Sequence, residues 1–344
     1  MNTKLELRNT DSSTMQAARL AAFDTPLQIA RVPRPQPAAH EVLVRVKSSG
    51  VNRLDVKIHN GSAAHARVQL PAILGIDLAG VVQQVGRQVS SFKVGDEVYG
   101  MSGGVGCMAG SLAEFATVDA QLLALKPRNF SMHEAAALPM IFVTAWQGLV
   151  DKARLQAGQK VLVHGGAGGV GHIAVQLARA FGAQVFATGS RAHRETIESM
   201  GAIAIDYRSS AVEDYVAQYT AGEGFDVVYD TVGGTTLDAS FLAARHHSGH
   251  VVSCAGWGAH KLAPLSFRAA TYSGVFTLLP LLCERGEGRA HHGEIMRQAT
   301  RMVEAGQIRL RLDQRRFALA DVNRVHQLME SRSAEGKLVI DIAD

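Results

Sequence analysis

The feature that most constrains this 344-residue sequence is a glycine-rich turn between a short apolar run and a helical pattern. Residues Val161–Val163 predict a β-strand, and residues 172–181 have helical spacing. Between them, Gly166, Gly168 and Gly171 fit the pattern G-x-G-x-x-G. Such glycines let the backbone turn tightly and approach a pyrophosphate, which the positive end of the helix dipole attracts. The segment therefore predicts a dinucleotide site, the alternative being a purely structural turn.

Strand-like and helical patterns alternate after this turn, whereas the chain before residue 138 is β-rich and broken by prolines. Alternation of this kind predicts a parallel sheet with helices on both faces. The expected strands are 184–188, 204–207, 226–230 and 250–254, and the expected helices are 142–150, 192–200, 212–220, 236–244, 294–305 and 321–331.

Length and composition narrow the class of protein. A chain of 344 residues favours two domains, and 47% hydrophobic with 19% charged residues is typical of a globular protein. No apolar run is long enough to span a bilayer, so no membrane association is expected. The net charge is +4, but no aromatic residues alternate with the arginines of the sequence. Such alternation would be expected of a nucleic-acid-binding surface, so no nucleic-acid partner is expected. Three cysteines without a C-x-x-C pattern fit a reducing compartment, and we expect a cytoplasmic protein.

The nucleotide preference is read from the end of the second strand of the parallel sheet. A carboxylate there selects NAD, whereas an arginine accommodates the additional phosphate of NADP. Here Ser190, Arg191 and Arg194 follow the strand, and the first acidic residue is Glu195 inside the next helix. We therefore expect NADPH; the alternative is that both arginines are simply exposed helix residues and either cofactor is accepted.

Several motifs along the chain, in addition to the glycine turn, are shared with a known family. From Met15 to Ile342 the sequence resembles the medium-chain dehydrogenase/reductase superfamily, in its zinc-independent quinone oxidoreductase (zeta-crystallin-like) branch. The motifs that carry the resemblance are residues 41–46, 50–55, 74–82, 94–100, 165–171, 226–234 and 336–339.

The resemblance implies an α/β protein in which a Rossmann-type domain, with a doubly wound parallel sheet, is inserted into a GroES-like, β-rich catalytic domain. The implied boundaries are 15–138 and 283–344 for the catalytic domain and 139–282 for the Rossmann domain, after a flexible N-terminal extension, 1–14. It also implies a homodimer through the Rossmann domain. The apolar segment 275–282 is the candidate interface, with a plain buried strand as the alternative.

The resemblance also allows a prediction from the sequence of whether the protein binds zinc. Zinc-dependent relatives carry a cysteine at the position of Val51-Asn52 and Gly-His-Glu at the position of residues 75–77. This chain has Gly75-Ile76-Asp77, and only Cys107 falls where a four-cysteine lobe would lie. Zinc needs several converging Cys, His or carboxylate ligands, so no metal site is expected. The pairs 246–247 and 291–292 are interpreted as loop or surface histidines.

Without a Lewis acid to hold an alkoxide, reduction of an electron-poor acceptor is favoured over alcohol oxidation. We therefore expect an NADPH-dependent reductase that transfers hydride to a small-molecule quinone or enone (an α,β-unsaturated carbonyl compound). The alternatives are an enoyl or alkenal reductase acting on a thioester or lipid-derived substrate, and a weakly catalytic NADPH-binding protein.

The resemblance assigns roles to individual residues. Asn52 is expected beside nicotinamide and acceptor, and Thr144 on the nicotinamide side. Lys57 stands where many relatives carry tyrosine; it is a candidate proton donor, the alternatives being water as donor and a plain surface lysine. Trp257, Tyr272 and Phe276 are candidates for the acceptor pocket or for core packing. Further expected cofactor contacts are Gly169, Val170, Tyr207 (or a packed core tyrosine), Val232, Cys254, Ala255, Gly256 and Lys337.

Overall fold

The computed structural model describes residues 13–282 and 286–342. The strands of its antiparallel sheets are β1 (Thr14–Leu20), β2 (Gln28–Pro33), β3 (Glu41–Gly50), β4 (Ala72–Ile73), β5 (Asp77–Val85), β6 (Glu97–Met101), β7 (Phe115–Asp119), β8 (Leu123–Leu125) and β15 (Val339–Asp341). The strands of its parallel sheet are β9 (Lys160–His164), β10 (Gln184–Gly189), β11 (Ile203–Asp206), β12 (Val227–Asp230), β13 (His250–Ser253) and β14 (Thr271–Gly274).

Eleven α-helices are assigned within the described ranges. They are α1 (Arg53–His59), α2 (Met132–Ala137), α3 (Pro139–Trp146), α4 (Gly169–Ala180), α5 (Arg194–Ser199), α6 (Val212–Thr220), α7 (Thr235–Ala243), α8 (Ala263–Phe267), α9 (Leu279–Leu282), α10 (Glu287–Glu304) and α11 (Val322–Glu330). None of these helices is both long and apolar enough to cross a membrane.

The antiparallel strands form two sheets. One has the order β2-β1-β4, and the other has the order β15-β3-β5-β6-β8 with β7 paired to β3. The last strand, β15, pairs with the carboxyl end of β3, where Val339 lies opposite Gly50. Residues from both ends of the chain therefore meet where β3 leads into α1.

All six strands of the other sheet are parallel, in the order β11-β10-β9-β12-β13-β14. The chain leaves β9 in one direction to β10 and returns on its other side at β12, so the strand order reverses at β9. Ligands of doubly wound sheets bind at this point, outside the carboxyl ends of the strands. The glycine turn follows β9 directly, so the fold places it at the switch point.

The apolar sequence pattern explains the layers. Val161, Leu162 and Val163 of β9 are fully buried because both faces of the parallel sheet are covered. Residues 171–178 of helix α4 are buried, and the helix packs against the parallel sheet and α3. One continuous hydrophobic cluster joins side chains of the antiparallel strands and the parallel sheet, so the two parts pack as one body.

The expected fold class, α/β with antiparallel GroES-like sheets and a parallel Rossmann-type sheet, is confirmed. The expected strands and helices that flank the glycine turn are also observed. Helix α2 begins with a capping box formed by Ser131 and Glu134. The predicted extension 1–14 lies outside the described residues except for Ser13 and Thr14, and Thr14 already belongs to β1.

The structure differs from the sequence analysis at three places. The helix expected over 142–150 begins at Pro139, because proline is well tolerated in the first turn of a helix. Segment 275–282 is not a buried strand: the edge strand β14 ends at Gly274, and a turn leads into α9. Helix α1 was not anticipated, since its seven residues are too few for a clear periodic signal.

Candidate functional site

The glycine turn forms the centre of the site. Gly165 has a φ of +74°, in the left-handed region that favours glycine, and the chain then turns so that Gly168 precedes α4. A Cβ on Gly171 would overlap the carbonyl oxygen of Gly165, so α4 and the loop are in direct contact through backbone atoms. Gly168 caps α4 without a side-chain hydrogen bond. The turn therefore has room for a pyrophosphate at the helix N-terminus.

The structure brings the predicted turn residues together in that one segment. A Cβ on Gly169 would meet only a methyl group of Ile141, at 3.5 Å, so this side of the loop is open. Gly166 donates its N–H to the carbonyl oxygen of Thr188, which ties the loop to β10. The remaining predicted members of the turn are Val170, half-buried, and Gly171, buried.

A second small pocket lies beyond β10, at the predicted nucleotide-selecting position. Ser190, Arg191 and Arg194 all line it. Arg194 also pairs with Glu198 at 3.1 Å on the surface of α5. Asp206, at the end of β11, lines the same pocket and was not anticipated, because sequence alone did not show that the third strand reaches it. Two arginines and a serine thus line this pocket together with one acidic residue.

Tyr207 follows β11 directly and is exposed, with 56% of its surface accessible. The guanidinium of Arg208 lies 5.8 Å from the centre of its ring. The alternative that Tyr207 packs in the core is therefore wrong. Its ring is available to a ligand that reaches the carboxyl end of the sheet.

The carboxyl ends of β12 and β13 are held together by Asp230. Its carboxylate accepts hydrogen bonds from the backbone N–H groups of Val232 and Gly233, each at 3.0 Å, and from the hydroxyl of Ser253 at 2.7 Å. This residue was not anticipated, although a polar residue at the end of a buried strand is a usable signal. Asp230 therefore fixes the two loops that carry the predicted cofactor contacts.

Of those contacts, Val232 is exposed and Cys254 is half-buried. Burial and, secondly, the nearby Asp230 raise the pKa of the Cys254 thiol to about 12. The thiol is therefore neutral at physiological pH and is not a nucleophile. Ala255 donates its N–H to the Ser253 hydroxyl at 3.0 Å, and a Cβ on Gly256 would overlap the Tyr272 hydroxyl.

Thr144 connects α3 to the segment after β14. Its hydroxyl hydrogen-bonds to the Met140 carbonyl at 2.6 Å and to the Thr277 hydroxyl at 3.0 Å. Its carbonyl oxygen accepts a bond from the Tyr229 hydroxyl at 2.7 Å. Thr144 is therefore held by contacts with α3, β12 and the segment after β14.

A buried polar cluster lies where β3 meets α1. The Asn52 side chain donates to Asp77 at 2.9 Å, and its backbone N–H donates to Asp55 at 2.8 Å. The ammonium of Lys337 donates a hydrogen bond to the side-chain oxygen Oδ1 of Asn52 and lies 3.8 Å from the Asp77 carboxylate. Asp77 also accepts the backbone N–H of Met140 at 3.0 Å. Sequence reasoning named Asn52 and Lys337 separately but missed both carboxylates.

Burial dominates the electrostatics of this cluster. It raises the pKa of Asp55 to about 7 and that of Asp77 to about 6, and it lowers the pKa of Lys337. One oxygen of Asp55 is buried without a hydrogen-bond partner among the described residues. The single ammonium is thus shared by two carboxylates in a desolvated setting.

Lys57 lies in α1 and is exposed. Its charge, after burial as the larger cause, lowers the pKa of His65. The two side chains therefore face the same space beside α1. Asp55 is buried and bonded to Asn52, so Lys57 is not simply the partner of that neighbouring carboxylate.

Two family descriptions match the chain. "Alcohol dehydrogenase GroES-like domain" matches residues 38–128, and "Zinc-binding dehydrogenase" matches residues 200–340. Within 13–282 and 286–342, no three His, Cys, Asp or Glu side chains form a group able to hold a metal ion.

The donor set of the buried cluster does not fit zinc either, because the Lys337 ammonium would repel a second cation and occupies the oxygens of Asn52 and Asp77. Contrary to expectation, His292 is not a surface residue. It is buried in α10 and hydrogen-bonds to Gln147 at 3.2 Å.

Similar proteins share most of the chain. The 2-methylene-furan-3-one reductase of Solanum lycopersicum is 36% identical over 310 residues, covering 87% of this chain and 71% of that protein. The chloroplastic NADPH-dependent alkenal/one oxidoreductase of Arabidopsis thaliana is 32% identical over 314 residues, covering 89% of this chain and 73% of that protein.

Two solved structures are similar over nearly the whole chain. An alcohol dehydrogenase superfamily protein from Novosphingobium aromaticivorans is 51% identical, with a TM-score of 0.93 over 96% of this chain and 100% of that one. The quinone oxidoreductase of Coxiella burnetii is 27% identical, with a TM-score of 0.80 over the same shares. Fold, glycine turn and relatives agree: the chain belongs to the medium-chain dehydrogenase/reductase superfamily and is one of its nicotinamide-dependent oxidoreductases.

Proposed function

We propose that this protein is an NADPH-dependent reductase that transfers hydride to a quinone or an α,β-unsaturated carbonyl compound without a metal ion. The single observation that carries the NADPH assignment is the pocket beyond β10, which Ser190, Arg191 and Arg194 line. Two guanidinium groups match a phosphate in charge and in hydrogen-bond geometry, and they outnumber the one carboxylate of Asp206. The Arabidopsis relative is named as NADPH-dependent, which supports the same choice.

The acceptor class is supported by the chemistry of the cleft. Bound nicotinamide supplies the hydride, and the protein positions the acceptor and stabilises the oxygen that becomes negative. Quinones and enones spread that charge by conjugation, so hydrogen-bond donors and a cation suffice. Lys57, an exposed residue of α1, is the proposed cation and the proposed proton donor to the reduced acceptor. The names of the tomato and Coxiella proteins belong to this acceptor chemistry.

The proposal is tested by following NADPH oxidation with 1,4-benzoquinone, 9,10-phenanthrenequinone, an alkenal and crotonyl-CoA, with NADH in parallel. Turnover with a quinone or the alkenal is the expected result. Turnover with crotonyl-CoA alone would instead establish the enoyl-thioester alternative. Tight NADPH binding without turnover of any acceptor would contradict the reductase and favour a weakly catalytic NADPH-binding protein.

The NADPH assignment predicts a selective effect of removing the two guanidinium groups. In the double variant Arg191→Ala/Arg194→Ala, NADPH affinity should fall by about 100-fold or more, since two charge-assisted hydrogen bonds of roughly 1.5–3 kcal/mol each are lost. NADH affinity should stay the same, as measured by calorimetric titration. Arg128→Ala is the control, because that side chain is 95% exposed and paired only with Glu304. An unchanged ratio of NADPH to NADH affinity would refute the assignment.

The proposed location is the cytoplasm. Cys107 and Cys254 are free thiols in the structure, which fits a reducing compartment.

A further inference from the structure

Three aromatic side chains meet across the boundary between the antiparallel region and the parallel sheet. His65 lies in a short 3-10 turn (Ala64–Ala66) after α1. Trp257 follows β13, and Phe276 follows β14. The imidazole of His65 stacks on the indole of Trp257, with ring centres 4.8 Å apart and planes 21° apart. The Phe276 ring meets both edge-on, at 6.0 and 6.1 Å. We call these three residues the aromatic wall.

The wall borders the predicted nicotinamide side of the cleft. Trp257 comes directly after Ala255 and Gly256, two of the predicted cofactor contacts. Phe276 precedes Thr277, whose hydroxyl bonds to that of Thr144 at 3.0 Å. A ring held against the wall therefore lies in the space between the nucleotide site and α1.

The wall still offers surface to a ligand. Although His65 covers one face of the Trp257 indole, 51% of this residue is exposed. By contrast, the aromatic side chains of Phe142 and Phe186 in the core are almost fully buried. A half-exposed indole in a cleft between two parts of a molecule is typical of a binding surface rather than of core packing.

The electrostatics of the wall favour an electron-poor ring. Burial and the Lys57 charge keep the pKa of His65 below its usual range, so the imidazole is neutral at neutral pH. The stack is therefore one of uncharged rings with electron-rich faces, and the Lys57 ammonium lies beside it. A quinone ring is electron-poor and planar, and it becomes negative as it is reduced, so it matches both the faces and the cation.

We propose that Trp257, with His65 and Phe276, is a stacking subsite for a planar conjugated acceptor, and that it makes this protein prefer ring quinones to acyclic enones. The proposal rests on the reductase function proposed above and specifies its acceptor. An acyclic enone has no ring to lay on the indole, so it gains little from the wall.

The first test compares two acceptors, 9,10-phenanthrenequinone and 3-buten-2-one, in Trp257→Ala and Trp257→Phe proteins. Loss of one aromatic stack should raise KM for the quinone about 10-fold relative to KM for the enone in Trp257→Ala. Trp257→Phe, which keeps a planar ring, should restore most of the ratio. Trp146→Phe is the matched control, since Trp146 packs on Phe142 and Phe181 away from the wall and should leave both KM values unchanged. An equal effect on both acceptors would overturn the proposal.

The second test needs no turnover, so it separates this proposal from the reductase function. The chain has two tryptophans, and Trp146→Phe leaves Trp257 as the sole indole fluorophore. Quinones quench an indole that they stack on, so 9,10-phenanthrenequinone should quench this protein with a saturable curve, also in the presence of NADP⁺. In Trp257→Phe protein the remaining Trp146 signal should fall only linearly. Linear quenching in both proteins would refute the subsite, whereas saturable quenching without any turnover would refute only the reductase.

Discussion

At the scale of single residues, the contact among Asn52, Asp77 and Lys337 is the least predictable part of the site. Family position pointed to Asn52 and Lys337, but their side chains are separated by 285 positions and meet only in the folded chain. Asp77 carried no signal, since one acidic residue inside an apolar run is compatible with many environments. Contacts of this kind depend on tertiary packing, which a local pattern does not encode.

The buried pair of Asp77 and Lys337 predicts a characteristic pattern of stabilities. Lys337→Met alone should lower the free energy of unfolding by about 3–5 kcal/mol, because it leaves the buried Asp77 carboxylate without a cation. Asp77→Asn alone should cost less, since Asp55 still faces the ammonium. The double variant should recover part of the loss caused by Lys337→Met. Urea unfolding of the three proteins measures the cycle.

The exposed pair Arg297 and Glu294 is the control, for which the same cycle should give less than about 1 kcal/mol. NADPH affinity distinguishes a structural role from a role at the cofactor. If Lys337 contacts the cofactor as predicted, the double variant stays weak in NADPH binding although part of its stability returns. Recovery of both would assign Lys337 to the fold alone.

At the scale of elements, the strand–turn–helix unit of β9 and α4 was predictable because its signal is local. Apolar β-branched residues, glycines at fixed spacing and a helical pattern follow one another within about twenty residues. The structure of segment 275–282 was not predictable, because a short apolar run is compatible with a buried strand, a turn or a helix. Its conformation depends on the surrounding structure. Strand β14 ends at Gly274, and the side chains of Leu278 and Leu281 are buried in the core.

The close contact inside the glycine turn predicts the cost of a single methyl group. Gly171→Ala should destabilise the protein by about 1–3 kcal/mol and weaken NADPH binding, because the new Cβ overlaps the Gly165 carbonyl and pushes the loop away from α4. Thermal unfolding and NADPH titration provide the two measurements. Gly286→Ala is the control, as a Cβ there meets no atom within 4 Å. Wild-type NADPH affinity in Gly171→Ala would argue against the turn as the phosphate site.

At the scale of the whole molecule, the edge strand β14 bears on assembly. Among the strands of residues 13–282 and 286–342, it pairs with β13 alone. Thr271 and Val275 donate their N–H groups to Gly249 and Ser253, so by alternation the N–H groups of Tyr272 and Gly274 face outward. An unpaired edge of this kind is a template for a second copy of the chain. We propose that residues 271–274, next to the predicted interface segment 275–282, take part in the expected dimer interface.

This placement predicts different assembly for two substitutions at one position. Gly274→Pro removes an outward N–H and should turn the expected homodimer into a monomer, because proline cannot donate to a neighbouring strand. Gly274→Ala keeps that N–H, and its Cβ meets only the Tyr272 hydroxyl, at 3.7 Å, so it should remain a dimer. Light scattering after size-exclusion chromatography gives the masses. A monomeric wild-type protein, or two dimeric variants, would rule out this edge.

The pairing of β15 with β3 has a consequence for the order in which the protein folds during its synthesis. Val339 and Lys337 close a sheet edge and a charge cluster whose other members, Gly50 and Asp77, are synthesised hundreds of residues earlier. Until the tail emerges, that sheet has an open edge and its buried carboxylate has no cation. The parallel sheet, by contrast, is complete by Gly274. The Rossmann-type unit is therefore free to fold first. The antiparallel sheet, whose first strands are synthesised before that unit, is completed only after it.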